Sequence, residues 1–399
     1  MKKNLSRILS LALVLALCLA LALPAFAAGS TYETERADGS KETVTFDKYL
    51  LMKDNANVPN ATFTFTVSAG SAASAETGKF EILAGPNPEK VKVNNVAKEN
   101  TVTFAVGDGT STETGSSTVQ GLVDGKKYAT KQITLDFSEV VFPEPGVYRY
   151  IITESGTNQG VTNDANTARY VDVYVVDASE GTDLKLKIEN IILHTAANDI
   201  ATGENNGTVG TNPTGKGTGY TNEYVTYDLT FSKTVEGNQA SRDKYFKFTV
   251  KIENAVKGTT YAVDLTKADS TITGNAATVY TNVANPTELV VGDDGTVTGI
   301  FYLQHGQSIK IQGLAVGTKY TVTEANEDYK SSYTQTVGEA TSETNTGSIA
   351  DNDVTVAYKN TRGGVIPTGI LLTIAPFAVL MLIGIVGVCL MVLKKKHTN

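Results

Sequence analysis

Residues 44–50 read VTFDKYL, and residues 229–235 read LTFSKTV. Both stretches alternate apolar and polar side chains, the period of a half-buried strand. In the first, Val44, Phe46, Lys48 and Leu50 share a face, opposite Thr45 and Asp47. In the second, Leu229, Phe231, Lys233 and Val235 share a face, opposite Thr230, Ser232 and Thr234. Each apolar face thus carries a lysine. A single inward lysine is expected to snorkel out at a sheet edge. Two of them, at the same place in two similar strands, point to an internal repeat.

The repeat continues along the chain. FTFTV (63–67) is answered by FKFTV (246–250), GVYRYIITES (146–155) by GTKYTVTEAN (317–326), and GYTNEY (219–224) by AYKNTR (357–362). Period-two parity places Glu154 on a face with Tyr148, Tyr150 and Ile152, and Glu324 with Tyr320 and Val322. Asn360 falls with Val354, Val356 and Tyr358, and Asn222 with Tyr220 and Tyr224. Each half therefore turns a Lys, a Glu and an Asn toward its core, in that order. The rest is rich in Thr, Val and Tyr, with turns at Gly, Asn and Asp, and shows no long amphipathic helix. An all-β fold of two tandem sandwiches is expected, over 28–225 and 226–361. SAGSAASAETG (68–78), VGDGTSTETGSSTV (106–119) and residues 194–220 read as loops, and GDDGT (292–296) as a hairpin turn.

Burying an ammonium and a carboxylate is costly even when they pair. Burial lowers a lysine pKa and raises a glutamate pKa. A neutral amine can attack the side-chain carbonyl of Asn while a protonated Glu polarises it and relays protons. Ammonia leaves, and an amide joins the first strand of the domain to its last. The cysteine count fits such a staple. Cys18 and Cys389 lie in the two apolar ends, so the part between them has no thiol from which to make a disulfide.

The ends read as export and retention signals. Lys2, Lys3 and Arg7 precede an apolar run from Ile8 to Leu23 and an A-x-A pattern at Ala25-Phe26-Ala27, a secretory signal peptide over 1–27. Leu17 stands where a lipoprotein site at Cys18 would need a small residue. Residues 370–393 carry no charge and are long enough to span a bilayer, and Lys394, Lys395 and Lys396 would stop the span in the cytoplasm. Pro367-Thr368-Gly369 stands directly before the span.

The triad order, the FSEV…F…PGVY stretch (137–148), the glutamate strand and the Pro-Thr-Gly tail together resemble the streptococcal backbone pilin family with intramolecular isopeptide bonds. The resemblance covers nearly the whole exported chain. It implies immunoglobulin-like (CnaB-type) sandwiches with Lys48–Asn222 and Lys233–Asn360 bonds, assisted by Glu154 and Glu324. It implies a sorting signal over 362–399, in which Val365-Ile366-Pro367-Thr368-Gly369 departs from the common Leu-Pro-x-Thr-Gly form and is cut after Thr368 by sortase, a membrane transpeptidase. The family's intersubunit lysine precedes the first-domain Asn, where Lys216 stands here; an ordinary solvated lysine fits that position equally well. The implied function is structural: a covalently polymerised surface fibre, attached to the cell wall after transient anchoring in the membrane. The implied partners are sortase, further copies of the chain, accessory pilins, peptidoglycan and host surface ligands. A monomeric wall-anchored adhesin or a tip or base pilin would share the tail and the internal bonds.

Other chemistry is thin. Removing the ends leaves 28 of the 34 basic residues against 42 acidic ones, a net of −14, which argues against nucleic acid as a partner. The histidines, His194, His305 and His397, form no metal-spaced cluster or catalytic triad. GTNPTGKG (210–217) approaches a nucleotide-binding loop, but Gly217 stands where Ser or Thr is required. No cofactor, no metal and no turnover enzyme activity is expected. Bond formation would be a single self-modification.

Overall fold

The computed structural model describes residues 36–74, 81–113, 119–197, 219–266, 284–325, 328–364 and 379–391. The chain folds as two β-sandwiches in tandem, one after the other along the sequence. In the first, one sheet runs in the order Val161–Thr162, Gly219–Tyr224, Thr43–Lys53, Lys126–Asp136, Lys92–Val93, Val96–Ala97, with Thr110–Ser111 also on Lys126–Asp136. The facing sheet runs Leu186–His194, Ala168–Asp177, Gly146–Ser155, Ala61–Ala69, Glu99–Phe104, with Ile82–Ala84 also on Gly146–Ser155. In the second, the order is Glu288–Val290, Thr260–Asp264, Ser308–Ala315, Thr226–Glu236, Val354–Thr361, Lys330–Val337, Ala340–Ser342, facing Val297–Leu303, Phe246–Glu253, Lys319–Glu324, Thr346–Ser348.

Alternation makes these strands. In Val354–Thr361 every second residue is buried and every other one exposed, as expected of a strand with one face on a core. The inward side chains of each domain fill one core, built around Phe63, Phe65, Phe104, Phe137 and Tyr150 in the first and Phe231, Phe248, Phe301 and Tyr320 in the second.

In both domains the first and last strands are parallel neighbours. Thr43–Lys53 pairs with Gly219–Tyr224 so that Lys48 lies opposite Tyr220 and Leu50 opposite Asn222. Thr226–Glu236 pairs with Val354–Thr361 so that Lys233 lies opposite Tyr358 and Val235 opposite Asn360. The register is the same, with Asn two residues beyond the lysine's partner. The first pairing begins at Gly219, whose φ is +105° and whose missing Cβ would lie 1.8 Å from the Asp47 carbonyl oxygen. Only glycine allows the strands to meet there.

The domains are joined by Val225 alone, between the last strand of one and the first of the next. Its N–H donates to Gly160 O and its carbonyl accepts from Val316 N. Val256 and Ala315 of the second domain pack into the first domain's core cluster. Asn57 Nδ2 donates to Thr260 O at 2.5 Å and Asn60 Nδ2 to Lys257 O at 2.7 Å.

Two sequence expectations need correcting in detail. GDDGT is a turn, closed by Gly292 N to Thr296 O, but not a hairpin, because Glu288–Val290 and Val297–Leu303 lie in different sheets. The long loops are also trimmed. Ser68 and Ala69 end a strand, Thr110–Ser111 forms a short one, His194 closes another and Gly219 opens the next. The signal peptide, Lys216 and Val365–Gly369 lie outside the described residues. The expected span of 370–393 is described only over 379–391, which is helical. Among the described residues no helix is long and apolar enough to cross a membrane.

Candidate crosslinking sites

Each sandwich brings its Lys, Glu and Asn together between the sheets. In the first, Lys48 (0% exposed) and Asn222 (0%) come from one sheet, and Glu154 (3%) comes from the other, opposite Phe65 of the adjacent strand. Lys48 Nζ lies 3.2 Å from Glu154 Oε2, and Asn222 Nδ2 donates to Glu154 Oε1. In the second, Lys233 Nζ donates to Glu324 Oε1 at 2.6 Å, and Asn360 Nδ2 donates to the same oxygen at 2.7 Å. Glu324 stands opposite Phe248, the counterpart of Phe65. An aromatic ring lies over each ammonium, Phe63 at 4.5 Å from Lys48 and Phe246 at 4.4 Å from Lys233.

These surroundings work against charge. Burial pulls the Lys48 ammonium down to about 8, against the opposing pull of Glu154. Burial likewise pushes the Glu154 carboxyl up, with Lys48 and Asn222 resisting. Both shifts favour moving one proton from the amine to the carboxyl, which leaves a neutral amine beside a carboxamide.

The amide oxygens are held differently. Asn222 Oδ1 accepts from the main-chain N–H of Asp164 at 2.8 Å. That loop is fixed by Asp164 Oδ2, which accepts from Arg169 Nη2 at 2.8 Å and from Thr221 N at 2.9 Å. Asn360 Oδ1 accepts from Ser331 Oγ at 2.6 Å, and Ser331 sits directly opposite Asn360 on the neighbouring strand. Sequence reading missed Asp164, Arg169 and Ser331. Ser331 reaches Asn360 through strand pairing, Asp164 reaches Asn222 from a loop and Arg169 acts through Asp164, and no local pattern marks them.

A further buried group lies on the outer face of the first domain's second sheet. Arg149 grips Asp172 through Nε and Nη2, each at 2.7 Å. His194 Nε2 stands 3.2 Å from Asp172 Oδ2. Although burial raises it, the Arg149 hydrogen bonds and His194 hold the Asp172 carboxyl below its usual range. Ala73, Ile82, Val147, Tyr174 and Ile192 form a small core on that face.

Comparison with known proteins agrees with this geometry. Residues 44–225 match the family of the Spy0128-like isopeptide containing domain, and residues 227–362 match a domain of unknown function, DUF7601. A pilin of Streptococcus pyogenes serotype M1 is 28% identical over 405 residues, covering 94% of this chain and 96% of that one. The crystal structure of the major pilin from Streptococcus pyogenes superposes with a TM-score of 0.55 at 22% identity, over 81% of this chain and 99% of that one. The T3.2 major pilin of the same species gives 0.52 at 23% identity, over 81% and 99%. These neighbours establish the fold. Residues 44–225 thus match a known isopeptide-containing domain, and nearly the whole chain is similar to a streptococcal pilin.

Proposed function

We propose that this chain is a backbone pilin that seals each of its domains with a Lys–Asn amide bond of its own making, and that a sortase links successive copies through Thr368. One observation carries the reading: the same three buried side chains meet in the same strand register in both domains. Proton transfer to Glu frees the amine, which attacks the Asn carbonyl carbon. The new C–N bond replaces the bond to Nδ2, and the proton held by Glu leaves with ammonia.

The register gives such a bond its mechanical sense. Because the first and last strands are parallel, tension entering at the start of one and leaving at the end of the other shears their hydrogen bonds. A Lys48–Asn222 bond bypasses that shear. Only ten residues separate Asn222 from Lys233, where a second bond takes over to Asn360. The load then reaches Thr368 along covalent bonds. At the outer end, Thr368 would be released from Gly369 by a sortase and joined to an amine of the next copy, with Lys216 the candidate.

Intact mass tests the bonds. Purified 28–368 should weigh less than its sequence by two molecules of ammonia, and Glu154→Ala and Glu324→Ala should each restore one. A wild-type mass equal to the sequence mass would reduce the six residues to buried polar partners. For polymerisation, wall extracts should show a high-mass ladder that disappears on deletion of Pro367-Thr368-Gly369. An unchanged ladder in Lys216→Ala would shift the acceptor to another lysine.

A further inference from the structure

The carboxamide is a poor electrophile, and its activation needs a donor at the oxygen where negative charge develops. Here each Glu faces the amide nitrogen rather than this oxygen. In the second domain Glu324 Oε1 already faces both Lys233 Nζ, at 2.6 Å, and Asn360 Nδ2, at 2.7 Å. One oxygen thus stands between the attacking and the departing nitrogen, placed to carry a proton between them. Asn360 Oδ1 points the other way, onto Ser331 Oγ at 2.6 Å. Ser331 Oγ also lies 3.4 Å from Glu324 Oε2.

In the first domain the orientation of the amide is fixed by chemistry. The Asp164 N–H can only donate, so the atom that it meets is the Asn222 oxygen. Among the described residues, the second domain has no such loop beside its Asn. Its last strand is flanked instead by Lys330–Val337, which presents Ser331 at the matching place.

We propose that Ser331 is a catalytic residue of the second domain's crosslinking reaction, donating its hydroxyl proton to the oxyanion that forms on Asn360 Oδ1, and that the Asp164 N–H performs this task in the first domain. The inference rests on the crosslink reading above. As Lys233 Nζ bonds to the Asn360 carbonyl carbon, the carbonyl electron pair moves onto Oδ1 and is held by Ser331. When the pair returns, the bond to Nδ2 breaks and ammonia departs with the proton relayed by Glu324. Ser331 is unchanged at the end. The two domains thus build the same hole from different parts, one from a main-chain donor that substitution of its own side chain leaves in place, the other from a side chain.

The test follows linkage with time in newly made 28–368, by peptide mass at both junctions, in wild type and in Ser331→Ala, Ser331→Thr and Ser331→Val. Thr and Val have the same shape and both suit a strand, so they differ at this site in the hydroxyl. Wild type and Ser331→Thr should link Lys233 to Asn360 at similar rates. Ser331→Ala and Ser331→Val should be slower by about 10²-fold, the scale seen when an oxyanion donor is removed. The Lys48–Asn222 junction should form at one rate in all four. Equal rates for Ser331→Val and Ser331→Thr, or a Ser331→Thr chain that fails to link, would overturn the role of Ser331. Failure of wild type to link at either junction would overturn the crosslink reading itself.

Discussion

The two domains solve one problem with unequal means. Their central strands superpose in role: first beside last in parallel, the same two-residue offset from Lys to Asn, and Glu opposite a Phe in the facing sheet. Around that frame they diverge. The first domain adds Ala168–Asp177 and Leu186–His194, and with them Arg169, which braces the Asp164 loop beside Asn222, and the Asp172 and His194 partners of Arg149 on the outer face. In the second domain, no described strand extends the facing sheet beyond Lys319–Glu324 on that side except the short Thr346–Ser348. What stays constant is the geometry that sets reacting atoms. What varies is the support around it.

The largest expected effect tests the constant part. Glu154→Ala and Glu324→Ala should each cost their domain about 4–5 kcal/mol, the chain-entropy value for a link closing more than a hundred residues. Because that entropy grows only with the logarithm of loop length, the two losses should be nearly equal although the loops differ in length. Urea unfolding of each variant measures them. A large loss in one domain and none in the other would mean that only one site reacts.

The next prediction strikes at the difference. Asp172→Ala leaves the buried Arg149 guanidinium without its carboxylate, a loss on the order of 3–5 kcal/mol. The first domain should melt earlier, with the second domain's transition unchanged, as two-step calorimetry would show. The Lys48–Asn222 bond should still form, since this group lies on the other face of the sheet. If the bond fails instead, the two faces are coupled through Gly146–Ser155.

A smaller effect concerns pH. Asn222→Ala keeps Lys48 and Glu154 but cannot link them. Between about 8 and 10.5 the unfolded chain holds a proton that folded Lys48 has lost, so stability rises with pH through that window. Glu154 has the opposite sign. Its folded value lies above 4.5, so its contribution is full below 4.5 and is lost as pH rises through the folded value. The variant should therefore be least stable between these windows and gain on either side. The linked wild type has no Lys48 amine and should lack the alkaline arm. Urea midpoints from pH 4 to 10.5 would show the trough, and an identical alkaline arm in the wild type would mean that Lys48 is still free.

The sequence made much of this legible, for a physical reason. Strand parity is local, so Lys48, Glu154 and Asn222, with Lys233, Glu324 and Asn360, could be assigned to core faces from their neighbours alone, and repetition made the assignment firm. Register is not local. Ser331 meets Asn360 through a strand pairing and Asp164 meets Asn222 from a loop, and no short window contains either contact. Arg149, Asp172 and His194 occupy the polar parity of their strands, which ordinarily faces water. Residues 70–74, 81–85 and 195–197 help to cover them, and nothing in the strands themselves says so. GDDGT failed in the same way: its composition specified a turn but not that its two arms join different sheets.

The smallest effect lies where the domains meet. The Val225 joint has both main-chain groups bonded, and Asn57 and Asn60 of the first domain reach carbonyls of the second. Both asparagines are exposed, so water competes for each bond, and each should be worth about 0.5–1.5 kcal/mol or less. Apolar burial of Val256 and Ala315 against the first core should carry more of the coupling, because water offers no substitute for it. Asn57→Ala with Asn60→Ala should therefore leave both internal bonds intact and lower the joint stability slightly. Val256→Ala should lower it further and separate the two melting transitions. Calorimetry of the three proteins ranks these contributions. If the double asparagine variant separates the transitions more than Val256→Ala does, the joint is held by its polar rim, and a fibre built from it would soften in denaturant before either domain opens.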